Sequence, residues 1–289
     1  MTKTVQLISA SIVLYNTNQE QLKRILDCVV QSAVIDRVYL IDNSPTFCDT
    51  PLYHLPIVTY FNSFKNRGYG AGHNIALREA LLHSEFHFVL NPDIYFEPGA
   101  LLSMVGRMRQ DESIGQLMPK VVYPDGRLQC LCKLIPTPMD LVVRRFFRGP
   151  LKVLVKTSAE QFELRFTGYI NEMDVPFLSG CFMLFRTSAL KQVGLFDERF
   201  FMYGEDIDIT RRMHSKYRTI FYPEATVVHD HARESYKSNR MLWIHVVNIV
   251  RYFSKWGWLF DGERKAVNTK ILRALRSQAK NSIPFSPRS

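Results

Sequence analysis

The sequence predicts an α/β fold in which helices flank a mostly parallel sheet. Segments rich in β-branched residues alternate with segments of helical periodicity over the first 125 residues, and polar turns follow three of the predicted strands. Of the 289 residues, 46% are apolar and 22% are charged, which excludes a mainly disordered chain. This alternation is typical of βαβ units, whose ligands bind at the carboxyl ends of the strands.

The predicted elements of the first part of the chain follow one another closely. Strands are predicted at residues 5–15, 37–41, 57–61 and 86–90. Helices are predicted at residues 19–31 and at about 72–83. In the first helix, Leu22, Ile25 and Leu26 repeat at the spacing of one helical face.

The second part of the chain is less regular. Strands are predicted at 181–185 and 219–222, a helix at 205–213, and two amphipathic helices from 236 to about 280. Basic and apolar residues are mixed in residues 139–156, a pattern that fits both a solvated helix pair and a contact surface.

The positive charge is concentrated in the last quarter of the chain. The formal net charge is +10, yet residues 1–210 carry 21 basic and 22 acidic side chains, whereas residues 211–289 carry 16 and 5. Trp243, Trp256 and Trp258 lie among the basic residues, as in helices that bind anionic membrane surfaces. A basic helical cap that packs on the domain fits the same pattern.

Cysteine content and hydropathy predict a cytoplasmic protein. The five cysteines have neither disulfide nor zinc spacing, which favours reduced thiols. The apolar run at residues 5–15 is interrupted by serines and lacks a cleavage site, so we do not expect a signal peptide. No run approaches the roughly 18 to 20 apolar residues of a membrane span, which leaves a soluble or peripheral protein.

Polar residues that could bind a ligand follow three of the predicted strands. They are Asp42-Asn43, Lys65-Asn66-Arg67-Gly68 and Asn91-Pro92-Asp93. The second group opens a loop with three glycines ahead of a helix, where backbone can approach a ligand and anions are favoured. Asp93 supplies one hard oxygen ligand, and Mg²⁺ or Mn²⁺ often binds through one or two carboxylates together with substrate phosphates.

A cluster of carboxylates and a pair of histidines occur late in the chain. Glu205, Asp206 and Asp208 begin a predicted helix among aromatic residues, and an apolar setting raises a carboxyl pKa and makes it a usable base. His229 and His231 end a strand-like run and are candidate metal ligands.

In this order, the motifs at residues 88–93, 177–183 and 194–208 resemble those of family 2 inverting glycosyltransferases with the GT-A fold. Within that family the chain is most similar to the rhamnosyltransferase-like enzymes of bacterial O-antigen and surface polysaccharide assembly. The resemblance covers residues 5–235. It implies a Rossmann-like, mixed but mostly parallel sheet, with a nucleotide-binding half (1–125), an acceptor and catalytic half (126–235) and a basic helical tail (236–289).

The resemblance also implies roles for individual residues. The nucleotide-sugar site would contain Tyr15, Asp42, Asn66, Arg67, Gly68, Asn74, Asn91 and Asp93. Asp206 would be the catalytic base, and the donor and acceptor loop would contain Ser179, Gly180 and Glu205. Asp93 and His229 would hold Mg²⁺ or Mn²⁺, with His229 preferred to His231. Asn91 replaces an Asp that is frequent in the wider family, which implies weak metal binding completed by the donor diphosphate.

The function that these residues imply is transfer of L-rhamnose from dTDP-L-rhamnose to a lipid-linked or growing polysaccharide, at the inner face of the cell membrane. A UDP-galactose or UDP-glucose donor is the nearest alternative. A nucleic-acid-binding protein that uses the basic tail, and a non-catalytic scaffold, are alternatives of other classes. The nucleic-acid-binding alternative leaves the carboxylate sites without a purpose, so we expect no nucleic-acid partner. If the chain is a scaffold, replacing the carboxylates should leave its role intact.

Overall fold

The computed structural model describes residues 7–141, 160–230 and 239–281. In this part of the chain, nine strands form one central sheet and two short strands form a separate ribbon. The strands are β1 (Leu7–Leu14), β2 (Arg37–Asp42), β3 (Val58–Asn62), β4 (Ser84–Leu90), β5 (Ile94–Phe96), β6 (Ile114–Val122), β7 (Cys132–Lys133), β8 (Met173–Asp174), β9 (Phe177–Leu178), β10 (Phe182–Arg186) and β11 (Arg218–His229).

The central sheet is mixed and mostly parallel. Its order is β3-β2-β1-β4-β10-β6-β11-β5, and β8 pairs with the first half of β11. β10 runs antiparallel to both β4 and β6, and β5 and β8 run antiparallel to β11, while the other six strands share one direction. The carboxyl ends of β1, β2 and β4 therefore meet at one edge of the sheet, as predicted for a ligand site.

Helices cover both faces of the sheet. The longer ones in the described residues are α1 (Gln19–Ser32), α2 (Tyr69–His83), α3 (Gly99–Gln110), α4 (Thr187–Val193), α5 (Glu205–His214), α6 (Asn239–Trp256) and α7 (Gly262–Asn281). Buried residues of α1, α3 and α7 belong to one core cluster, and those of α2, α4 and α5 belong to a cluster on the opposite face. These two layers confirm the predicted fold class.

The region between β4 and β7 differs most from the sequence-based expectation. α3 and β6 were not predicted, although Leu101, Met104 and Met108 repeat at helical spacing in α3. β6 contains Pro119, a residue that normally argues against an interior strand. The structure accommodates it because the register of β11 shifts between Tyr222 and Thr226, directly opposite Pro119.

The two C-terminal helices pack on the rest of the domain. Ile249, Tyr252 and Phe253 of α6 form a cluster with Phe177 and Ile207, and α7 adds apolar side chains to the main core. The division at residue 235 into a domain and a tail stays a prediction. Most of the basic segment 139–156 lies outside the described residues. Of the helices in the described part of the chain, none combines the length and apolarity needed to cross a bilayer.

Candidate active site

The loop that precedes α2 is fixed to the carboxyl ends of the first two strands. Asn43 follows β2, and its backbone N–H donates to Leu14 O at 2.9 Å. The Asn43 side chain donates from Nδ2 to Gly68 O at 3.1 Å and accepts from Ser63 through Oδ1 at 2.8 Å. Two of the predicted polar turns therefore belong to one connected edge.

Asp42 lies buried at the end of β2. Its Oδ2 accepts from Tyr60 Oη at 2.8 Å, and its Oδ1 accepts from the Ser44 N–H at 2.8 Å. Tyr60 stacks on Tyr53 with ring centroids 4.0 Å apart, and burial together with the bond to Asp42 raises the pKa of the Tyr60 hydroxyl. Tyr15, directly after β1, is exposed at the same edge. Contact of Tyr15 and Asp42 with a nucleotide stays a prediction.

The glycines of the loop allow other segments of the protein to pack closely against the start of α2. Gly68 has φ +90°, and a Cβ on it would lie 2.4 Å from the backbone oxygen of Phe201. Cβ atoms on Gly70 and Gly72 would lie 2.9 Å from Phe196 and 2.8 Å from Val13. The sequence suggested close approach to a ligand, whereas the structure explains these glycines by close packing of α2. Asn66 Oδ1 accepts from the Gly68 N–H at 3.0 Å, and the neighbouring Arg67 is exposed.

Asn74 joins α2 to the segment that precedes α5. Its amide donates to Phe196 O at 2.9 Å and to Glu198 Oε1 at 3.0 Å, and it accepts from the Phe196 N–H at 3.0 Å. The side chain is buried. In this structure the polar atoms of Asn74 bind protein, so its predicted contact with a nucleotide would require these bonds to rearrange.

Asp93 and His229 face one another at the end of the sheet. His229 Nε2 lies 3.4 Å from Asp93 Oδ1, and His229 Nδ1 lies 3.0 Å from Gln129 Oε1. Gln129 also donates to His229 O at 2.8 Å. Burial disfavours the charged imidazole, but Cys181 and Asp93 raise the pKa of His229 to about 10. Surroundings that favour a proton at this position also favour a metal cation.

The Asp93–His229 pair fits part of a metal site. Gln129 holds Nδ1 and directs Nε2 at Asp93, as the outer partner of a metal-binding imidazole does. Within the described residues, no group of three or more His, Cys, Asp or Glu side chains is arranged to hold a metal. A cation held here would need oxygens from phosphate or water in addition. Asn91, whose N–H donates to Cys181 O at 3.0 Å, lies beside the pair, and His231 lies outside the described residues.

Asp206 lies in the first turn of α5 and points at the loop before β10. Its Oδ2 accepts from the Gly180 N–H at 3.2 Å. Burial raises the pKa of Asp206, and Lys133 opposes this effect. Burial and the adjacent Asp206 raise the pKa of Glu205 to about 8. The pair therefore combines a partly accessible carboxylate with a deeply buried neighbour, and Ser179 lies partly buried beside them.

Tyr69 lies between Asp206 and the predicted metal ligands. Its Oη donates to Gly180 O, and burial raises its pKa, with further contributions from Cys181, Glu205, Asp206 and Asp93. Asp93 on one side and Glu205 and Asp206 on the other are therefore close enough to raise the pKa of the same phenol. The structure thus brings Asp93, His229, Gly180 and Asp206 into one site.

Sequence reasoning missed three side chains at this site: Tyr69, Gln129 and Lys133. Tyr69 lies inside the glycine-rich loop, and its position at a helix start was the available signal. Gln129 and Lys133 lie in an irregular segment, and Lys133 reaches the site because β7 pairs with β9, opposite Phe177. Nothing local in the sequence indicates that pairing.

The family model described as "Glycosyltransferase like family 2" matches residues 143–244. An N-acetylglucosaminyl-diphospho-decaprenol L-rhamnosyltransferase of Mycobacterium tuberculosis is 32% identical over 153 residues, which are 51% of this chain and 47% of the relative. A low-salt glycan biosynthesis hexosyltransferase, Agl10 of Haloferax volcanii, is 25% identical over 157 residues, 54% of this chain and 46% of the relative. The chain spans about half the length of these curated relatives.

Solved structures share the fold. A GalNAc-T7 structure with UDP, GalNAc and Mn²⁺ gives a TM-score of 0.59 at 14% identity, covering 96% of this chain and 55% of that one. The mannosyltransferase PcManGT of Pyrobaculum calidifontis, in complex with GDP-Man and Mn²⁺, gives 0.55 at 15% identity, covering 97% and 76%. These matches confirm the GT-A fold and, together with the relatives, the predicted resemblance to glycosyltransferase enzymes of family 2.

Proposed function

We propose that this chain is an inverting glycosyltransferase that moves L-rhamnose from dTDP-L-rhamnose to a lipid-linked or growing polysaccharide acceptor. The observation that carries the proposal is the environment of Asp206. Its carboxylate is held by the Gly180 N–H at the edge of the sheet where Asp93 and His229 also lie, and burial raises its pKa toward the range of a general base. Such a base is what a sugar hydroxyl needs before it attacks.

The reaction that fits this arrangement is a single displacement. The Asp206 carboxylate takes the proton of an acceptor hydroxyl, whose oxygen attacks the anomeric carbon of the donor. The bond from that carbon to the diphosphate oxygen breaks, and its electron pair leaves with the nucleoside diphosphate. Attack from the opposite side inverts the configuration. Proton transfer of this kind contributes about 10²–10⁴ in rate.

Asp93 and His229 are the residues that would hold a divalent cation, Mg²⁺ or Mn²⁺. When bound, the cation would offset the charge that the diphosphate gains. Two protein ligands are few, and Asn91 adds no carboxylate, so the donor phosphates would complete the site. Two solved structures of the same fold were obtained with Mn²⁺, one with UDP and one with GDP-Man, which supports this choice of metal.

The choice of donor rests on similarity. The mycobacterial relative is named for rhamnosyl transfer, which supports dTDP-L-rhamnose. The Haloferax relative is named a hexosyltransferase, which keeps UDP-galactose and UDP-glucose as alternatives. Donor hydrolysis measured across a panel of nucleotide sugars distinguishes them, since the true donor should be hydrolysed fastest.

The proposed acceptor rests on the same relative, and the proposed cellular location rests on the charge of the chain. The mycobacterial relative is named for an acceptor on decaprenyl diphosphate, which supports a lipid-linked acceptor for this chain. The excess of basic residues in the last quarter of the sequence suits an anionic bilayer. We therefore place the enzyme peripherally at the inner face of the cell membrane.

The substitution Asp206→Asn tests the base. It keeps an acceptor oxygen for the Gly180 N–H but removes the basic carboxylate, so kcat should fall by about 10²–10⁴-fold. Sugar transfer is followed by product formation from the donor that the panel identifies. Asp125→Asn, on an exposed carboxylate that pairs with Arg127, is the control and should keep full activity. Near wild-type transfer by Asp206→Asn with unchanged melting temperature would show that another group is the base.

A further inference from the structure

The turn between α6 and α7, residues 257–260, presents apolar side chains to solvent. We call it the apolar turn. Leu259 is 80% exposed and Phe260 is 97% exposed, and Trp258 is partly exposed while packing on Phe253 with ring centroids 5.2 Å apart. Large side chains are rarely this exposed in adjacent positions unless the surface has a partner.

Backbone hydrogen bonds and a glycine with positive φ fix the conformation of the apolar turn. The Gly257 N–H donates to Phe253 O at 2.8 Å and ends α6, and Gly257 has φ +101°. A Cβ at this position would lie 2.9 Å from Phe260 O. The Arg264 guanidinium donates to Trp258 O at 3.4 Å. The exposed side chains are therefore held outward by a tight turn.

Basic residues lie next to the apolar turn. The helix that follows it carries exposed Lys265, Lys270 and Arg273, which line one shallow groove of about 540 Å³. Residues 236–289 contain 11 Lys and Arg against 2 Asp and Glu. Apolar side chains beside a cationic face match the two layers of an anionic bilayer surface, its acyl boundary and its headgroups.

Both ends of the apolar turn are bonded to α5, the helix that begins with Glu205 and Asp206. On one side, Trp256 Nε1 donates to Asp208 Oδ1 at 2.8 Å. On the other, Asp261 accepts two bonds of 2.8 Å from Arg211, which is almost fully buried. A force on the turn therefore acts through two direct contacts on the helix that carries the proposed base.

We propose that the apolar turn enters the headgroup layer of an anionic bilayer and that its two anchors couple this contact to α5. The bilayer is inferred as the partner of the apolar turn from the exposed apolar side chains and the neighbouring positive charge. Only the consequence for catalysis rests on the proposed function. The contact holds α5 in one position while the enzyme works at the surface that carries its acceptor.

Vesicle binding tests the contact. The full chain is sedimented with phosphatidylcholine vesicles that contain phosphatidylglycerol, and with vesicles of phosphatidylcholine alone. We expect binding to the anionic vesicles, weakened at least about ten-fold by W258S/L259S/F260S. The control L82S/L102S/I170S removes three apolar side chains elsewhere that are 64% to 73% exposed, and it should bind as the wild type does. Equal binding by the turn variant, or absence of wild-type binding, overturns the proposal.

Light scattering without lipid tests whether a second copy of the chain, and not a bilayer, contacts the apolar turn. If the wild type self-associates and W258S/L259S/F260S abolishes that association without changing vesicle binding, the turn is an interface between copies and the proposal is wrong. We expect the same mass for both proteins.

Backbone amide exchange tests the coupling without relying on activity. Anionic vesicles should slow exchange in residues 205–214 of the wild type by at least about three-fold, as expected when local opening of a helix becomes less favourable. W256F keeps the aromatic ring but loses the hydrogen bond to Asp208. It should bind vesicles normally and show less slowing in α5 than the wild type, because only the bonds between Asp261 and Arg211 then join the turn to that helix. Equal slowing in W256F would refute the coupling, whatever the protein's activity.

Discussion

The carboxylate of Asp206 is subject to two opposing effects. Burial raises its pKa, and the ammonium group of Lys133 lowers it. Lys133 also lies 5.1 Å from the ring of Phe177 on the neighbouring strand, which keeps the ammonium beside the loop that contains Gly180. The pH at which the proposed base becomes ionised therefore depends on a residue of the two-stranded ribbon.

Lys133→Met should move the acid limb of the pH–rate profile to higher pH. The proposed base acts only when ionised, and loss of the nearby positive charge of Lys133 raises the pKa of Asp206 further. The measurement is kcat/KM for sugar transfer between pH 5 and 9. Lys133→Arg keeps the charge and should leave the limb in place. A shift of the Lys133→Met limb to lower pH would contradict the role of Lys133.

Single residues of the site differed in how far they could be predicted. Asp93, Asp206 and His229 lie in motifs at the ends of predicted elements, and the resemblance to the glycosyltransferase family implied that they share one site. Gln129 binds a residue 100 positions later, and Lys133 acts on one in α5. These contacts depend on how an irregular segment folds back on the sheet, and no periodicity of the sequence encodes that.

At the scale of elements, a buried chain of hydrogen bonds joins β1, β4 and α2. Ser84 Oγ bonds Ser9 Oγ at 2.8 Å, and Ser9 bonds His87 Nδ1 at 2.7 Å. His87 Nε2 bonds Ser11 at 2.8 Å, and Ser11 bonds His73 Nδ1 at 2.7 Å. Burial lowers the pKa of His87 to about 3 and that of His73 well below its usual value. Both imidazoles are therefore neutral in the folded protein.

These two histidines should make the fold sensitive to mild acid. The unfolded chain takes up protons near pH 6.5 while the folded chain does not, so the free energy of unfolding falls as pH drops below about 6.5. Each histidine contributes up to about 1.4 kcal/mol per pH unit. Urea unfolding at pH 7.5 and pH 5.5 measures the loss.

His87→Gln should reduce that loss, because it removes one of the two groups. His54→Gln, on an exposed histidine that pairs with Asp49, is the control for loss of an imidazole outside this chain of hydrogen bonds. An identical pH dependence in wild type and His87→Gln would show that the buried chain is not its origin.

How accurately an element could be predicted depended on the strength of its sequence pattern. Strands and helices with a strong pattern, such as β1 and α1, were predicted to within a few residues. α2 begins at Tyr69, three residues before the prediction, because Gly70 and Gly72 are helical. Glycines normally disfavour a helix interior, and here the close contacts with Phe196 and Val13 outweigh that preference.

At the scale of the whole molecule, the C-terminal helices complete the core. Arg211 of α5 is buried beneath them, where it binds Asp261 and Glu263 and packs on Trp256 at 4.0 Å. Asn268 makes two hydrogen bonds with the backbone of Ile135, at 3.0 Å and 2.9 Å. A buried guanidinium cannot lose these partners without a large cost.

Asp261→Asn should lower the free energy of unfolding by about 3 kcal/mol, because it leaves Arg211 without its buried carboxylate. A chain truncated after residue 235 should fail to fold cooperatively for the same reason. Urea unfolding followed by circular dichroism checks both. Asp125→Asn breaks an exposed pair and should change the free energy by less than about 0.5 kcal/mol. A cooperative transition in the truncated chain would show that the tail is an independent appendage.

The bonds of Asn74 to Phe196 and Glu198 bear on how this chain can be re-engineered. A change of donor specificity is most simply attempted by exchanging the first half of the chain with that of a relative. Such a chimera would bring together an amide and a backbone segment that were never selected as a pair, and the Phe201 backbone would meet a foreign residue in place of Gly68. Exchanges that carry residues 66–74 and 196–201 together keep this junction intact, so modular recombination of the two halves should respect it.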